Sequence, residues 1–576
     1  MEKRVLAAVS LSFLVLFLYQ TFVVKPKPRV PVPGASTSAP ATPGDTALTA
    51  GASATGDAAS TPAAQPVEAP ASLVSSTTDQ DIIVDTEWVR ARFSNRGAVL
   101  RSWALKHYLD SKGHPIDIIP SPIKDPALAP FAISTNDPTL TARMQSALYR
   151  PSTDKLTLGA TSGTLAFEFQ DAAGLKVRKE FVFQPDRKPY VIRVNITATN
   201  NGEVLKLTYH GGAGVGDTER GVKPSGFFAT SMYQPPEAIF EKDSTVVRAH
   251  YANLSQHAVE EGRFRYVGVD DHYFLAALLP GDRNVRVEYK PISLLTEYGP
   301  RELVDFRARV GGQPGPVSFF YGPKDFDILA GVDQELVRAI HFGWFAFLAV
   351  PLLRSLKWLN AYIHNYGWSI ITLTVLINLA MFPLRHKSVV SMRKMQEIQP
   401  QVKAIQDRYA KLKVSDPARQ KMNTELMGLY RERGVNPASG CIPMLLTMPV
   451  LFAFYALLSV AIELRGAPFA GWIHDLSSYD PLYVTPVLMG LAQFWQTKIM
   501  PTAADPAQQR VMMIMPLMFM VFFLWAPSGL VIYWLVSNMW TIGQQYFTNY
   551  MLGPPPQHNV RPPAERRVKR VEAAAR

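Results

Sequence analysis

The sequence has almost no cysteine: Cys441 is the single thiol among 576 residues. One cysteine excludes an intramolecular disulfide and a cysteine-based metal site. The 11 histidines are scattered, and no pair has the HxxxH or HExxH spacing of a helical metal site. Neither a GxxxxGK(S/T) loop nor a GxGxxG loop occurs, which argues against a nucleotide-driven machine. We therefore expect no metal, no small-molecule cofactor and no catalytic residue set, and we predict that the chain is not an enzyme.

Long apolar runs are what the sequence has instead. With 47% hydrophobic residues and a mean hydropathy near zero, the chain fits a protein that is half water-soluble and half membrane-embedded. The apolar residues 5–24 would make a helix about 30 Å long, enough to span a bilayer. A cleaved signal peptide is the alternative, but the run is long for one and no small-x-small cleavage site follows it. We predict an uncleaved transmembrane anchor at 1–25.

A change of composition near residue 81 separates a linker from a β-rich domain. Residues 26–80 are rich in Ala, Pro, Ser, Thr and Gly and contain no aromatic residue, so they cannot bury enough surface to order themselves. Short alternating segments follow, such as 176–183 and 191–197, and each ends at turn-forming residues. This pattern predicts a disordered linker at 26–80 and one soluble antiparallel β domain, a sandwich, at 81–325.

The C-terminal part alternates between apolar and basic segments. We predict an amphipathic helix in the membrane interface at 333–353 and a transmembrane helix at 354–384. Residues 385–434 are polar and basic, and their apolar positions repeat at three-four spacing around a break at Asp416 and Pro417, which predicts an antiparallel helical hairpin. The seam positions of its first helix are Met395, Ile398, Val402, Ile405, Tyr409 and Leu412.

Four more apolar segments complete a predicted total of six transmembrane helices. They are 441–463, 482–499, 511–525 and 528–548, with an external loop at 464–481 between the first two. The hairpin holds twelve lysines and arginines, whereas the loop holds only Arg465. The positive-inside rule therefore places the hairpin and both termini in the cytoplasm and the β domain outside the inner membrane. The tail at 553–576 is basic, with a cluster at Arg561, Arg566, Arg567, Lys569 and Arg570.

One apolar span carries a polar stripe. Thr374 and Asn378 are four residues apart, so a helix places them on one face, and Arg385 returns close to the same face seven residues later. Exposing such a stripe to lipid is energetically unfavourable, so we expect it to face protein, water or a bound polar segment.

Several local motifs together resemble one family. Gly322-Pro323-Lys324 closes the β domain, and Asn436-Pro437, Gly440-Cys441-Ile442-Pro443 and Met448-Pro449 lie at the start of the third span. Trp472-Ile473-His474-Asp475-Leu476-Ser477 and Asp480-Pro481 lie in the external loop, and Phe523-Leu524-Trp525, Pro527-Ser528-Gly529-Leu530 and Ser537-Asn538 lie at the last turn and span. In these segments the chain resembles the YidC-type membrane protein insertases of Gram-negative bacteria, in the form that has a large periplasmic domain.

The resemblance implies a multi-domain α+β membrane protein. It has a five-helix insertase core within the six spans and a periplasmic antiparallel β-supersandwich like that of sugar-binding and mutarotase-like proteins. The core would form a hydrophilic groove that is open to cytoplasm and lipid and closed on the outer side. A polar residue of these helices could instead only form hydrogen bonds between helices, without lining a groove. The candidate groove residues are Thr374, Asn378, Arg385, Gln493, Gln496, Tyr533, Trp534 and Ser537.

The sequence departs from the family pattern at the groove charge. The family usually has a positive residue in the second span, and the matching position here is Asn378. We hypothesise that Arg385 supplies part of the missing charge; the alternative is that it is an ordinary positive-inside anchor.

The implied partners are nascent membrane proteins and the Sec translocon. The basic hairpin and tail additionally suggest contacts with the ribosome or with anionic phospholipid.

Two other functions compete with insertion. A secondary transporter or channel with a sugar-binding-like periplasmic domain would need inverted repeats and intramembrane acidic residues. We find no repeat, and the apolar runs of the predicted spans contain no Asp or Glu except Glu463 at an end. A membrane-tethered sugar-modifying domain would need a catalytic carboxylate or histidine set, and we find none.

Overall fold

The structure is a computed structural model. It describes residues 71–110, 112–120, 123, 125–216, 235–296, 299–409, 418–434, 442–500 and 506–553. The predicted anchor at 1–25, the linker as far as residue 70, the break at Asp416 and Pro417, and the five tail cations between 561 and 570 lie outside the described residues.

The β-rich part begins earlier than predicted, because residues 72–74 already pair with the large sheet as an edge strand. The described strands are β1 Ser72–Val74, β2 Asp81–Asp85, β3 Val89–Ser94, β4 Val99–Leu109, β5 Pro115–Asp117, β6 Ile133–Ser134, β7 Arg150–Pro151, β8 Lys155–Thr157, β9 Gly163–Asp171, β10 Leu175–Phe183, β11 Val191–Asn200, β12 Glu203–Val204, β13 Thr208–Ala213, β14 Glu237–Lys242, β15 Thr245–Ala249, β16 Val259–Arg263, β17 Val267–Asp270, β18 Phe274–Leu279, β19 Asn284–Thr296, β20 Gly299–Val310 and β21 Val317–Pro323.

These strands form three sheets. The largest has the order β1-β9-β10-β11-β21-β18-β17-β14-β15, with β7 and β12 attached at its side; the other two have the orders β16-β19-β20-β13-β6 and β5-β4-β3-β2-β8. Pairing is antiparallel throughout the described strands except between β2 and β8. Residues alternate between buried and exposed along β9, β10 and β11, as a sheet with one face on a core requires. The buried faces meet in an aromatic core that includes Phe93, Phe131 and Phe181.

The helices follow the β-rich part, apart from one short helix within it. The described helices are α1 Pro138–Ser146, α2 Phe326–Val332, α3 Ala346–Ile363, α4 Tyr366–Tyr409, α5 Ala418–Glu432, α6 Ile442–Val460, α7 Val484–Ile499, α8 Pro506–Phe523 and α9 Ser528–Leu552.

Helix boundaries around the predicted second span differ from the sequence-based ones. Residues 334–345 are mostly 3₁₀ turns, and the α-helix in the region predicted to be interfacial is α3, which begins at Ala346 instead of residue 333. The chain breaks at His364, which takes the left-handed conformation with φ 55°, so the next helix begins at Tyr366 instead of residue 354. Helix α4 then runs for 44 residues through Pro383 and Pro400 into the basic hairpin. The predicted hairpin positions Met395 and Ile398 are buried there and pack against Val402 of the same helix and Tyr430 of α5.

One described helix has the length and composition of a membrane span. By length and composition, Tyr366–Tyr409 is the one helix in the described part of the chain that could cross a membrane. Thr447–Val460 and Val511–Phe523 are shorter apolar helices. The six-span count therefore stays a prediction.

Candidate functional site

The polar stripe of α4 lies against α9. Thr374 is fully buried, and its Oγ1 donates to the carbonyl oxygen of Ile370 at 2.6 Å. Asn378 is 3% exposed; its Nδ2 donates to the carbonyl oxygen of Thr374 at 2.8 Å and to Ser537 Oγ at 3.4 Å. Short polar side chains satisfy themselves in this way on their own helix when no water is near. At this level the two helices are in closed contact.

The contact continues toward the hairpin with larger polar side chains. Arg385 is 9% exposed, and its Nη1 donates to Thr541 Oγ1 at 3.0 Å. The next residue, His386, forms a hydrogen bond of 3.2 Å with Thr548. Arg393 Nη2 donates to Asn549 Oδ1 at 2.6 Å. We call this line of α4–α9 contacts from residue 374 to residue 393 the polar seam; it is about 28 Å long at 1.5 Å per residue.

The described residues of the seam include cations and no acidic side chain. Among the described residues, no carboxylate forms an ion pair with Arg385. Its guanidinium is held by a hydroxyl group, which leaves its positive charge uncompensated inside a helical bundle. A buried cation of this kind attracts any anionic group that reaches the seam.

The remaining predicted residues lie beside the seam. Trp534 Nε1 donates to Gln493 Oε1 at 2.9 Å, and its ring packs edge-on against Phe523 with centroids 4.7 Å apart. Gln496 Oε1 is buried and has no hydrogen-bond partner in the described part of the chain. The Tyr533 ring stacks on Phe454 at 4.2 Å. The structure thus unites Thr374, Asn378, Arg385 and Ser537 in the seam. Trp534 joins α9 to α7 and α8, and Tyr533 joins α9 to α6.

Sequence reasoning missed the second half of the seam. Its members on α9 recur at three-four spacing after Ser537, which is the signal that could have identified them. Gln544 donates from Nε2 to the carbonyl oxygen of Phe382 at 3.2 Å, whereas its Oε1 is buried and has no partner among the described residues. The missed residues are Thr541, Gln544, Thr548 and Asn549 on α9 and His386 and Arg393 on α4.

Comparisons with known proteins decide the family. The family model of the YidC periplasmic domain matches residues 81–355, and that of the 60Kd inner membrane protein matches residues 358–554. The chain is 34% identical over 579 residues to the membrane protein insertase YidC of Syntrophus aciditrophicus (strain SB), an alignment that covers 95% of this chain and 99% of the relative. The chain belongs to the YidC family. It is therefore an inner-membrane protein, and its β-rich part is a periplasmic domain.

Other YidC proteins agree with this assignment. The insertase YidC of Geotalea uraniireducens (strain Rf4) is 34% identical over 574 residues, covering 96% of this chain and all of the relative. A crystal structure described as an active YidC insertase with the first transmembrane domain resolved covers 84% of this chain and 95% of its own, at 18% identity and a TM-score of 0.34. Because that score is low, the family assignment depends on the sequence relatives.

Proposed function

We propose that this chain is a membrane protein insertase and chaperone that inserts and helps fold inner-membrane proteins, alone or with the Sec translocon. The observation that carries the proposal is the polar seam, which places hydroxyl, amide and guanidinium groups between otherwise apolar helices of a YidC-family chain. The protein is not an enzyme. Both relatives above are named insertases, which favours this function over the transporter or channel alternative.

The seam lowers the barrier for polar segments that cross lipid. An unmatched backbone or side-chain polar group costs several kcal/mol in hydrocarbon. Hydroxyl and amide groups of the seam replace part of the lost water, because each can exchange its present partner for a group on the client. The client then moves sideways into lipid, driven by burial of its own apolar span. No nucleotide is needed for either step.

Client access requires α9 to separate from α4. Thr374 and Asn378 are buried in closed contact, so a client reaches them only after the Asn378–Ser537 contact breaks. That contact is long, at 3.4 Å, and a hydrogen bond of this type contributes only about 1 kcal/mol. This one contact is therefore a small part of the free energy needed to open the seam, because the hydrogen bonds of Arg385 and Arg393 to α9 must break as well.

A photo-crosslinker at residue 378 tests the proposal during synthesis of a short membrane protein. We expect the nascent chain to crosslink to this position although it is buried in the resting protein. The matched control is a crosslinker at Leu379, the neighbouring residue on the exposed side of α4 at the same depth. Equal yields at 378 and 379, or none at 378, would contradict entry of clients into the seam.

For the topology we propose six spans with both termini in the cytoplasm. The basic hairpin formed by the end of α4 and by α5 supports this orientation, as does the scarcity of cations between α6 and α7. A single cysteine placed in α5 of a Cys441→Ala protein should react with membrane-impermeant maleimide only after the inner membrane is opened. Labelling in intact spheroplasts would show that α5 is periplasmic and that the proposed orientation is wrong.

We further propose that the cationic tail contacts the ribosome or anionic phospholipid. Support comes from the five clustered cations at Arg561, Arg566, Arg567, Lys569 and Arg570, since phosphate groups attract such clusters. Co-sedimentation with ribosomes, with and without the five replaced by glutamine, measures the first contact. Binding that does not change on replacement would exclude it.

A further inference from the structure

A cleft of about 460 Å³ lies on the periplasmic domain, away from the polar seam. Its floor is the face of the large sheet opposite the buried core. Val182, Arg193, Ser318 and Leu279 form one row there, because they are direct cross-strand neighbours on β10, β11, β21 and β18. Arg193 thus rises from the middle of a four-strand floor that is otherwise apolar or neutral.

Three more cations line the walls of the cleft. Arg283, in the turn after β18, is fixed by two backbone acceptors: its Nε donates to the carbonyl oxygen of Pro280 at 3.0 Å and its Nη2 to that of Pro316 at 2.9 Å. Lys188, between β10 and β11, donates from Nζ to the carbonyl oxygen of Val332 at 3.2 Å. Arg265 lines the cleft just before β17. Two of the four cations are therefore held in place by the backbone.

The charge of the cleft is unbalanced. One carboxylate, Asp333, lies in its wall, and this group accepts a hydrogen bond from the backbone N–H of Glu335 at 2.9 Å. Among the described residues, no carboxylate forms an ion pair with Arg193, Arg265, Arg283 or Lys188. The four cations that line the cleft exceed its one carboxylate by three charges. Their mutual repulsion would be relieved by an anion in the cleft.

We propose that this cleft binds a compact anion that carries a phosphate group. The volume is that of a small-molecule site and is too small for a folded partner. Guanidinium groups match the geometry of phosphate oxygens and donate two hydrogen bonds at once. Leu279, Pro280 and Val332 add an apolar wall suited to the carbon skeleton of a glycerol or sugar unit. The site does not depend on insertion through the seam.

Calorimetric titration of the full chain in detergent with sn-glycerol 3-phosphate tests the site. We expect saturable binding, and a loss of affinity of about tenfold in each of Arg193→Gln and Arg265→Gln, the effect of one charge-assisted hydrogen bond. Both side chains are exposed, so the variants should fold; an unchanged thermal transition checks this. The matched control is Arg90→Gln, which removes an exposed cation of β3 outside the cleft and should leave the affinity unchanged.

A second arm identifies the source of the phosphate. In nanodiscs of phosphatidylcholine with phosphatidylglycerol, a lipid headgroup that reaches the cleft would compete and weaken sn-glycerol 3-phosphate binding, and Arg193→Gln would remove this difference. Equal affinity with and without phosphatidylglycerol would identify a soluble periplasmic anion. The proposal is overturned if the unaltered protein shows no saturable binding, or if Arg90→Gln weakens binding as much as the cleft variants do.

Discussion

Arg385 is a buried cation whose partner is a hydroxyl group, the Oγ1 of Thr541 at 3.0 Å. It lies on the same seam as Asn378, the position where the resemblance leads us to expect a positive residue. We predict that Arg385→Gln lowers insertion of clients with acidic translocated tails by about tenfold, the loss expected from one partly desolvated charge pair. Arg385→Lys should retain most of the activity. Protease protection of the client in proteoliposomes measures the effect.

The control for this prediction is a client with a neutral tail, whose insertion should change less than about twofold on the same replacement. If both clients lose insertion equally, Arg385 acts as a structural anchor and does not select charge.

Glu241 is a second buried charge, in the periplasmic domain. It is 1% exposed, and its Oε1 accepts a hydrogen bond from Arg338 Nη1 at 3.3 Å. Burial, followed by the negative charge of Glu335, raises the pKa of Glu241 from 4.5 to about 7. Between these values the folded protein holds a proton that the unfolded chain has lost, so the free energy of unfolding falls as the pH rises through this range.

We predict that Glu241→Gln removes this pH dependence, up to about 3 kcal/mol between pH 4.5 and 7. The unfolding temperature of the unaltered protein should be lower at pH 8 than at pH 5. The corresponding decrease in Glu241→Gln should be smaller. Glu203→Gln, at an exposed position of β12, is the control and should retain the wild-type slope. Calorimetry at the two pH values provides the measurement. A steeper decrease of the unfolding temperature with pH in Glu241→Gln would contradict the predicted direction of the effect.

Individual strands follow from the sequence, and their arrangement does not. Alternation predicted the segments at 176–183 and 191–197, which lie in β10 and β11. The same period places Lys179 on the inner face, where its Nζ donates to the carbonyl oxygens of Gly97 at 2.7 Å and Phe131 at 2.8 Å. Both acceptors are far from Lys179 in the sequence, and β11 likewise pairs with a distant strand, β21. Such contacts depend on tertiary packing, which alternation does not encode.

The helix break at residue 364 shows a second limit. No glycine or proline marks it, and the left-handed conformation is adopted by His364 itself. Conversely, α4 continues through Pro383 and Pro400, although each proline removes a hydrogen bond of the helix. For the seam, helical periodicity brought Thr374, Asn378 and Arg385 to one face correctly. It could not show that α9 closes over them, since that depends on which helices are neighbours.

Movement of α9 relative to α4 is required if clients use the seam. We predict that linking the two helices stops insertion. In a Cys441→Ala background, Asn378→Cys with Ser537→Cys places two thiols at side chains that now touch, and a short bismaleimide would join them. Client insertion in proteoliposomes should fall at least about tenfold, the factor expected when a gating step is blocked.

The single-cysteine variants treated with the same reagent are the controls, because they carry the added group without the link. Full activity of the linked protein would show that the seam stays closed while clients pass.

The periplasmic domain and the helices meet through charged contacts at the base of the domain. Lys357 on α3 forms ion pairs with Asp325, which caps α2, and with Glu463, which follows α6, at 3.5 and 3.2 Å. Arg465 reaches back to the β-rich part, donating from Nη1 to the carbonyl oxygen of Leu109 at 3.2 Å. Its guanidinium also lies over the Phe274 ring at 5.7 Å. Through these contacts, α3 and the segment after α6 are both attached to the periplasmic domain, so the domain is held against the helices.

Lys357 is the centre of that junction, and its removal tests how far the molecule behaves as one unit. Because the Glu463 side chain is only 6% exposed, Lys357→Met leaves a buried carboxylate without its cation and should destabilise the junction by about 3 kcal/mol. Thermal unfolding in detergent should change from one transition to two, with the periplasmic domain keeping its own. Adding Glu463→Gln should restore much of the loss, since the unpaired charge is then gone, and Lys155→Met at an exposed position of β8 should have no effect. A single unshifted transition in Lys357→Met would mean that apolar packing alone joins the periplasmic domain to the membrane helices.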